Sequence, residues 1–179
     1  MHGKLLIAHP LLHDAFFNRT VIYLTNHDAE GSAGFCLNIK TQFCLRDVRP
    51  QIKNGNLPIY EGGPVAQNQL FFLHTLGQQI SDSIRISKNI YVGGNFDELL
   101  HGIEHHTISP KHVRLFAGYS GWGPNQLETE MANRHWFLHR VNTYDLLKHQ
   151  PDRLWSIQLT EYKSSLEVFG NIAETPSLN

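Results

Sequence analysis

A chain of 179 residues with 41% hydrophobic content is long enough to bury one sizeable core and falls in the usual range for one domain. Its formal charge of −1 and pI of about 6.9 give no strong field toward nucleic acid or anionic membrane, and the sequence has no dense Lys/Arg run, so direct DNA binding is not expected. The two cysteines, Cys36 and Cys44, sit in apolar settings without CxxC spacing and read as reduced thiols, not as a disulfide framework.

The apolar run Leu5–Ala8, closed by Pro10, predicts a strand and is too short for a signal peptide. No segment approaches the length of a membrane-spanning helix, so a cytoplasmic protein is expected. Thr20-Val21-Ile22-Tyr23-Leu24-Thr25 is β-branched and aromatic, and Ala33–Asn38 returns after the polar turn Asn26–Ser32. Together they predict a hairpin with a longer loop. Leu45–Ile52 reads as a brief helix interrupted by Pro50, and Pro58–Glu61 and Leu70–His74 as strands joined through Gly62-Gly63-Pro64-Val65. Ile84, Ile86 and Ile90–Val92 fit strands around a turn.

Asn95 followed by Glu98 has the pattern of a capping box, and Phe96, Leu99, Leu100 and Ile103 then make one apolar face. Val113–Ala117 predicts a strand running into a tight glycine loop, after which Pro124 opens a helix carrying Leu127 and Met131. Trp136–Leu138 reads as a strand, and Tyr144–Leu147 and Pro151–Tyr162 as helices. Strands fill the first half and helices the last third, with no regular βαβ alternation, which favours α+β. The economical division is one domain over 1–162 and an irregular C-terminal tail over 163–179.

Candidate chemistry is sparse. The segment Gly118-Tyr119-Ser120-Gly121-Trp122-Gly123-Pro124 lacks the Lys and Ser/Thr of a P-loop, and Pro124 removes one N–H donor. Glu128 and Glu130 would repel an anion there and are better read as complements to a helix dipole. Ser120 lacks the G-x-S-x-G spacing of a nucleophile elbow. His101-Gly102-Ile103-Glu104-His105 matches an inverted zinc-protease pattern in form, but the apolar face already explains that helix and no third ligand is evident. No metal, cofactor or catalytic residue is therefore assigned.

The motif order resembles the YqgE/AlgH family of bacterial proteins. The residues that carry the resemblance are Leu5–Pro10, Phe17-Asn18-Arg19-Thr20-Val21-Ile22-Tyr23-Leu24, Asn38, Gly62-Gly63-Pro64-Val65, Leu73-His74, Gly118–Pro124, Gln126-Leu127-Glu128, Glu130 and Asn133-x-x-Trp136. Asn125 stands where members usually have Gly, and Ile39-Lys40-Thr41 lacks a common proline. The resemblance implies a single α+β domain with a bent, partly barrel-like, mainly antiparallel sheet and several flanking helices. It carries a frequent transcriptional-regulator label but no established reaction.

Two functions follow. The first is a non-enzymatic regulatory or binding protein that works through a protein or small-molecule partner. The second is a small-anion or metabolite binder, or an enzyme, with a pocket between Gly62–Val65 and Gly118–Glu130. The candidate ligand residues are Arg19, Asn38, Gly62, Gly63, His74, Trp122, Gln126, Glu128 and Glu130. Arg19 precedes an apolar strand, so a buried guanidinium there is expected to pair with Glu128 or Glu130.

Overall fold

The computed structural model describes residues 1–140, 146–147 and 150–173, with side chains up to residue 166. Strand β1 (Leu5–Ala8) lies between β2 (Val21–Asp28) and β10 (Trp136–His139), antiparallel to both. All four β1 residues and the first four of β2 are fully buried. Both faces of this part of the sheet are covered, which is why these strands read as continuous apolar runs with no alternation.

β2 and β3 (Gly31–Cys36) form the expected hairpin, but with a tighter turn. The strands pair out to Asp28 and Gly31, leaving only Ala29 and Glu30 between them, and Asp28 Oδ1 accepts the Glu30 N–H at 2.9 Å. Asn26–Asp28 are polar because the strand emerges from the core there and alternates between half-buried and exposed residues.

β4 (Lys40–Cys44) was not expected from the sequence. It is a mostly polar edge strand paired to β5 (Pro58–Glu61), and the Thr41 hydroxyl donates to the Ile59 carbonyl at 2.8 Å. β6 (Val65–His74) begins five residues before the predicted Leu70. β7 (Ile84–Arg85) and β8 (Tyr91–Val92) extend the sheet beyond it.

The largest correction concerns β9 (Val113–Trp122). The glycine segment is no loop: the strand runs straight through it. Its C-terminal half pairs with β3, and its N-terminal half lies between β6, antiparallel, and β5, parallel. Gly118, at φ 71, sits where the β6–β9 register shifts between Val65 and Leu70. A positive φ at that point suits glycine and bends the strand. The resulting order is β10-β1-β2-β3-β9-β6-β8-β7, with β5 and β4 branching from β9. The architecture is α+β, with a bent, mainly antiparallel sheet that does not close.

Among the described residues, four α-helices flank it. Helix α1 (Leu45–Val48) stops short of the predicted Ile52, because the residue before Pro50 is driven out of the helical region. In α2 (Phe96–Glu104), the Asn95 side chain accepts from the N–H groups of Asp97 and Glu98. The Glu98 carboxylate does not close the capping box. It accepts from the Ser81 N–H and hydroxyl instead. Asn125, at φ 60, precedes α3 (Gln126–Ala132). Asn is among the few side chains that tolerate this conformation, which accounts for its substitution for glycine.

α4 (Pro151–Ala173) corrects the expected irregular tail, because it runs eleven residues past Tyr162. The segment Lys163–Phe169 contains no helix breaker, so elongation continues at one hydrogen bond per residue. Of the helix predicted over Tyr144–Leu147, Tyr144 and Asp145 lie outside the described residues, and Leu146 and Leu147 form a turn.

Three apolar clusters follow from the bend. Leu5, Val21, Tyr23, Phe35 and Leu37 meet Tyr60, Leu73 and Phe116 inside it. Leu6, Ile22, Leu24 and Cys36 pack outward against Trp122, Trp136 and Leu127 of α3. On the far side, Ile59, Phe72 and Leu115 pack under α2.

Candidate functional site

The predicted site residues disperse, with one exception. Asn38 acts as a backbone clamp: its Oδ1 accepts the Val21 N–H at 2.8 Å and its Nδ2 donates to the Arg19 carbonyl at 2.9 Å. His74 is fully buried elsewhere. Its Nδ1 accepts the Leu76 N–H and its Nε2 donates to the Gly93 carbonyl at 3.1 Å, so the ring is neutral with the proton on Nε2. Burial lowers its pKa below the ordinary value.

Gly62 and Gly63 line no cradle. A Cβ on either would collide with backbone atoms of Gly118 or Tyr119, so the glycines let two chain segments meet backbone to backbone. The Gly62 carbonyl accepts the Ser120 hydroxyl at 3.0 Å and the Cys36 N–H at 2.9 Å. Nearby, Val65, Tyr119 and Trp122 line a shallow hollow of about 390 Å³.

The Arg19 pairing is not formed. Arg19 is exposed, and its guanidinium lies 5.5 Å from the Trp155 ring centre. Glu128 faces His27, 3.6 Å away. Glu130 is held by neutral donors: the indole N–H groups of Trp122 and Trp136 reach its Oε2 at 2.9 and 2.7 Å, and the Gln126 amide reaches its Oε1 at 3.0 Å. Trp122, Gln126 and Glu130 are thus the predicted residues that do converge, and they pin α3 to β9 and β10.

The buried arginine is Arg114, 4% exposed on β9. It donates to the carbonyls of Leu37 at 3.0 Å and Leu147 at 2.8 Å, and its guanidinium lies 4.6 Å from the Tyr60 ring centre. Burial lowers its pKa. Burial likewise pushes the Cys36 thiol up to about 12, which leaves it an inert core group.

The His101–His105 helix gathers no ligand set. The two rings stack at 4.0 Å, and Glu104 turns away to accept the Asn54 N–H. Among the described residues, no group of three or more His, Cys, Asp or Glu side chains is placed to hold a metal ion.

Among the described residues, a hollow of about 500 Å³ lies at Gln79, Asn95, Glu98 and His101, and two depressions are larger still. One, of about 940 Å³, lies beside Glu130, Trp136 and the 9–17 segment. Its acidic groups and His9 are engaged: Glu130 as above, Asp14 by the N–H groups of Phe16 and Phe17, and His9 Nδ1 by the Leu11 N–H; His13, Asn133, Arg134 and His135 also line it.

The other is a groove of about 760 Å³ on the α2 side of the sheet. Its floor is formed by Ile59, Ala117 and Leu70, from the adjacent strands β5, β9 and β6. Val48 of α1 and Phe96 of α2 stand on either side, so the groove is the part of a core face that the two helices leave bare. Phe43 of β4 is 50% exposed at its edge. Gln67, Asn68 and Gln69, from the register shift of β6, supply amides at one end.

Two charges line this groove, Glu61 and Arg49. Glu61 is half-buried two residues after Ile59, on the same strand face, and no hydrogen bond or ion pair among the described residues reaches its carboxylate. Arg49 is exposed on the rim, and among the described residues its guanidinium donates only to the neighbouring Val48 carbonyl. Sequence reasoning missed both. A readable signal existed for Glu61, because in Ile59-Tyr60-Glu61 it shares the face of an apolar residue.

The sequence pattern of the AlgH-like family matches residues 5–167. The chain belongs to the AlgH-like family. It is 35% identical over 178 residues to a UPF0301 protein of Bacteroides thetaiotaomicron, covering 99% of this chain and 90% of that one. A UPF0301 protein of Cytophaga hutchinsonii is also 35% identical, with 99% and 98% covered. The solution structure of the AlgH protein from Pseudomonas aeruginosa superposes with a TM-score of 0.74 at 25% identity, covering 99% of this chain and 95% of that one. The family has no established reaction, and the names of these relatives state none. Among the described residues, no helix is long and apolar enough to cross a membrane.

Proposed function

We propose that the protein is a non-enzymatic regulatory or binding protein of the cytoplasm, and that it takes a small ligand in the groove between α1 and α2. The observation that carries this reading is the core face left partly bare at Leu70 and Ala117, over the buried Ile59, with a half-buried Glu61 beside it whose carboxylate has no partner among the described residues. An apolar concavity with a few convergent polar groups is the usual form of a ligand site. Against catalysis stands the dispersal of Asn38, His74, Glu128 and Glu130 into separate hydrogen bonds, so no acid, base and nucleophile converge. Against a DNA partner stands the net charge of −1.

The test is amide chemical-shift mapping of the full chain with 1-octanol as an apolar probe. Shifts should cluster at Phe43, Leu70 and Ala117, and Phe43→Ser should weaken binding several-fold without unfolding the chain. Duplex DNA added at physiological salt should leave the spectrum unchanged. Shifts scattered over the surface, or absent, would defeat the groove reading.

A further inference from the structure

The chemistry of the groove narrows its ligand, and this step rests on the groove reading above. Glu61 and Arg49 carry opposite charges, share one cavity, and form no ion pair with each other. They are not equivalent. Arg49 is an exposed rim residue on a flexible stem, and a charge there is screened by water and salt. Glu61 is held on a paired strand, in register with Ala117, and is half-buried against the apolar floor. A carboxylate there has lost part of its hydration, and among the described residues no hydrogen-bond donor reaches it.

The nearby donors do not serve it. The Thr41 hydroxyl is directed to the Ile59 and Phe43 carbonyls. The Glu61 N–H is itself committed to the Ile39 carbonyl, 2.9 Å away. A ligand that fills the groove would strip more water from this carboxylate. An anionic or neutral apolar ligand would leave it desolvated and unpaired, whereas a positively charged nitrogen would meet it with a charge-assisted hydrogen bond.

We infer that the groove selects an amphipathic cation: an amine whose charged nitrogen meets Glu61 while its apolar portion lies over Ile59, Leu70 and Ala117 against Phe43 and Phe96.

The test compares three probes of equal length at neutral pH by titration calorimetry on the full chain: octylamine, 1-octanol and octanoate. Octylammonium should bind at least about tenfold more tightly than octanol, and octanoate more weakly than octanol. Glu61→Gln should bring octylammonium to the level of octanol and leave octanol unchanged. Octanol binding as tightly as octylammonium, with shifts still centred on the groove, would overturn the cation selectivity and leave the groove standing. Failure of all three probes would overturn both. The comparison on the unaltered chain decides the matter even if the variant does not fold.

Discussion

At the scale of single residues, the physical rule applied to Arg19 was sound, but it applies to another arginine. A buried guanidinium needs a carboxylate or a set of carbonyls, and Arg114 has the carbonyls of Leu37 and Leu147 together with the Tyr60 ring. Its position between Val113 and Leu115 was readable, since a charge inside an apolar strand must be met on whichever face it points to. Arg19 instead sits just before its strand at φ 54, with its carbonyl held by Asn38 and its side chain outside. Arg114→Ala would leave two carbonyls short of a donor and a void beside Tyr60. It should therefore cost about 3 kcal/mol or more in urea unfolding, while Arg19→Ala costs under about 1 kcal/mol. Arg114→Lys should recover only part, because an ammonium lacks the planar fork that reaches both carbonyls. An Arg114→Ala variant as stable as the parent would remove this account.

At the scale of elements, the glycine-rich segments show why strand interiors are hard to read from composition. Three glycines among two aromatics suggest a loop, yet Gly118–Trp122 is a strand because its backbone is pressed between two others. A Cβ at Gly118 would meet the Gly63 and Val65 carbonyls, so that glycine marks close approach, whereas Gly121 and Gly123 face side chains only. Strand existence was legible wherever burial produced apolar runs, as at Leu5–Ala8 and Val21–Leu24. It was not legible for β4, whose polar residues carry no hydrophobic signal and whose pairing is imposed by β5. The groove was hidden for another reason: its floor joins Ile59 and Leu70, on the consecutive strands β5 and β6, to Ala117 on the distant β9, which only the fold inserts between them. Gly62→Ala tests the close approach directly. Its Cβ would meet the Gly118 carbonyl and the Phe116 side chain, so the variant should lose about 1–3 kcal/mol. The signature is a lower urea midpoint at unchanged slope. An unaltered midpoint would mean that the two segments separate freely.

At the scale of the whole molecule, β9 decides how the chain unfolds. One end of it carries β3, and through β3 the β1–β2–β10 half of the sheet; the other end carries β5 and β6. The inner cluster draws residues from both halves, with Phe35 stacked on Phe116 at 4.7 Å. Neither half keeps its core if β9 is withdrawn, and neither can release β9 without exposing the inner apolar face of the other. Hydrophobic burial of this shared kind links the halves into one transition. Calorimetry of the full chain should therefore show a single endotherm, with calorimetric and van't Hoff enthalpies in agreement. Arg114→Ala and Gly62→Ala should each shift that endotherm as a whole, because both act on the shared strand. Two resolved transitions, or a Gly62→Ala variant in which only part of the heat moves, would show that the halves are independently stable and that β9 is a joint between them.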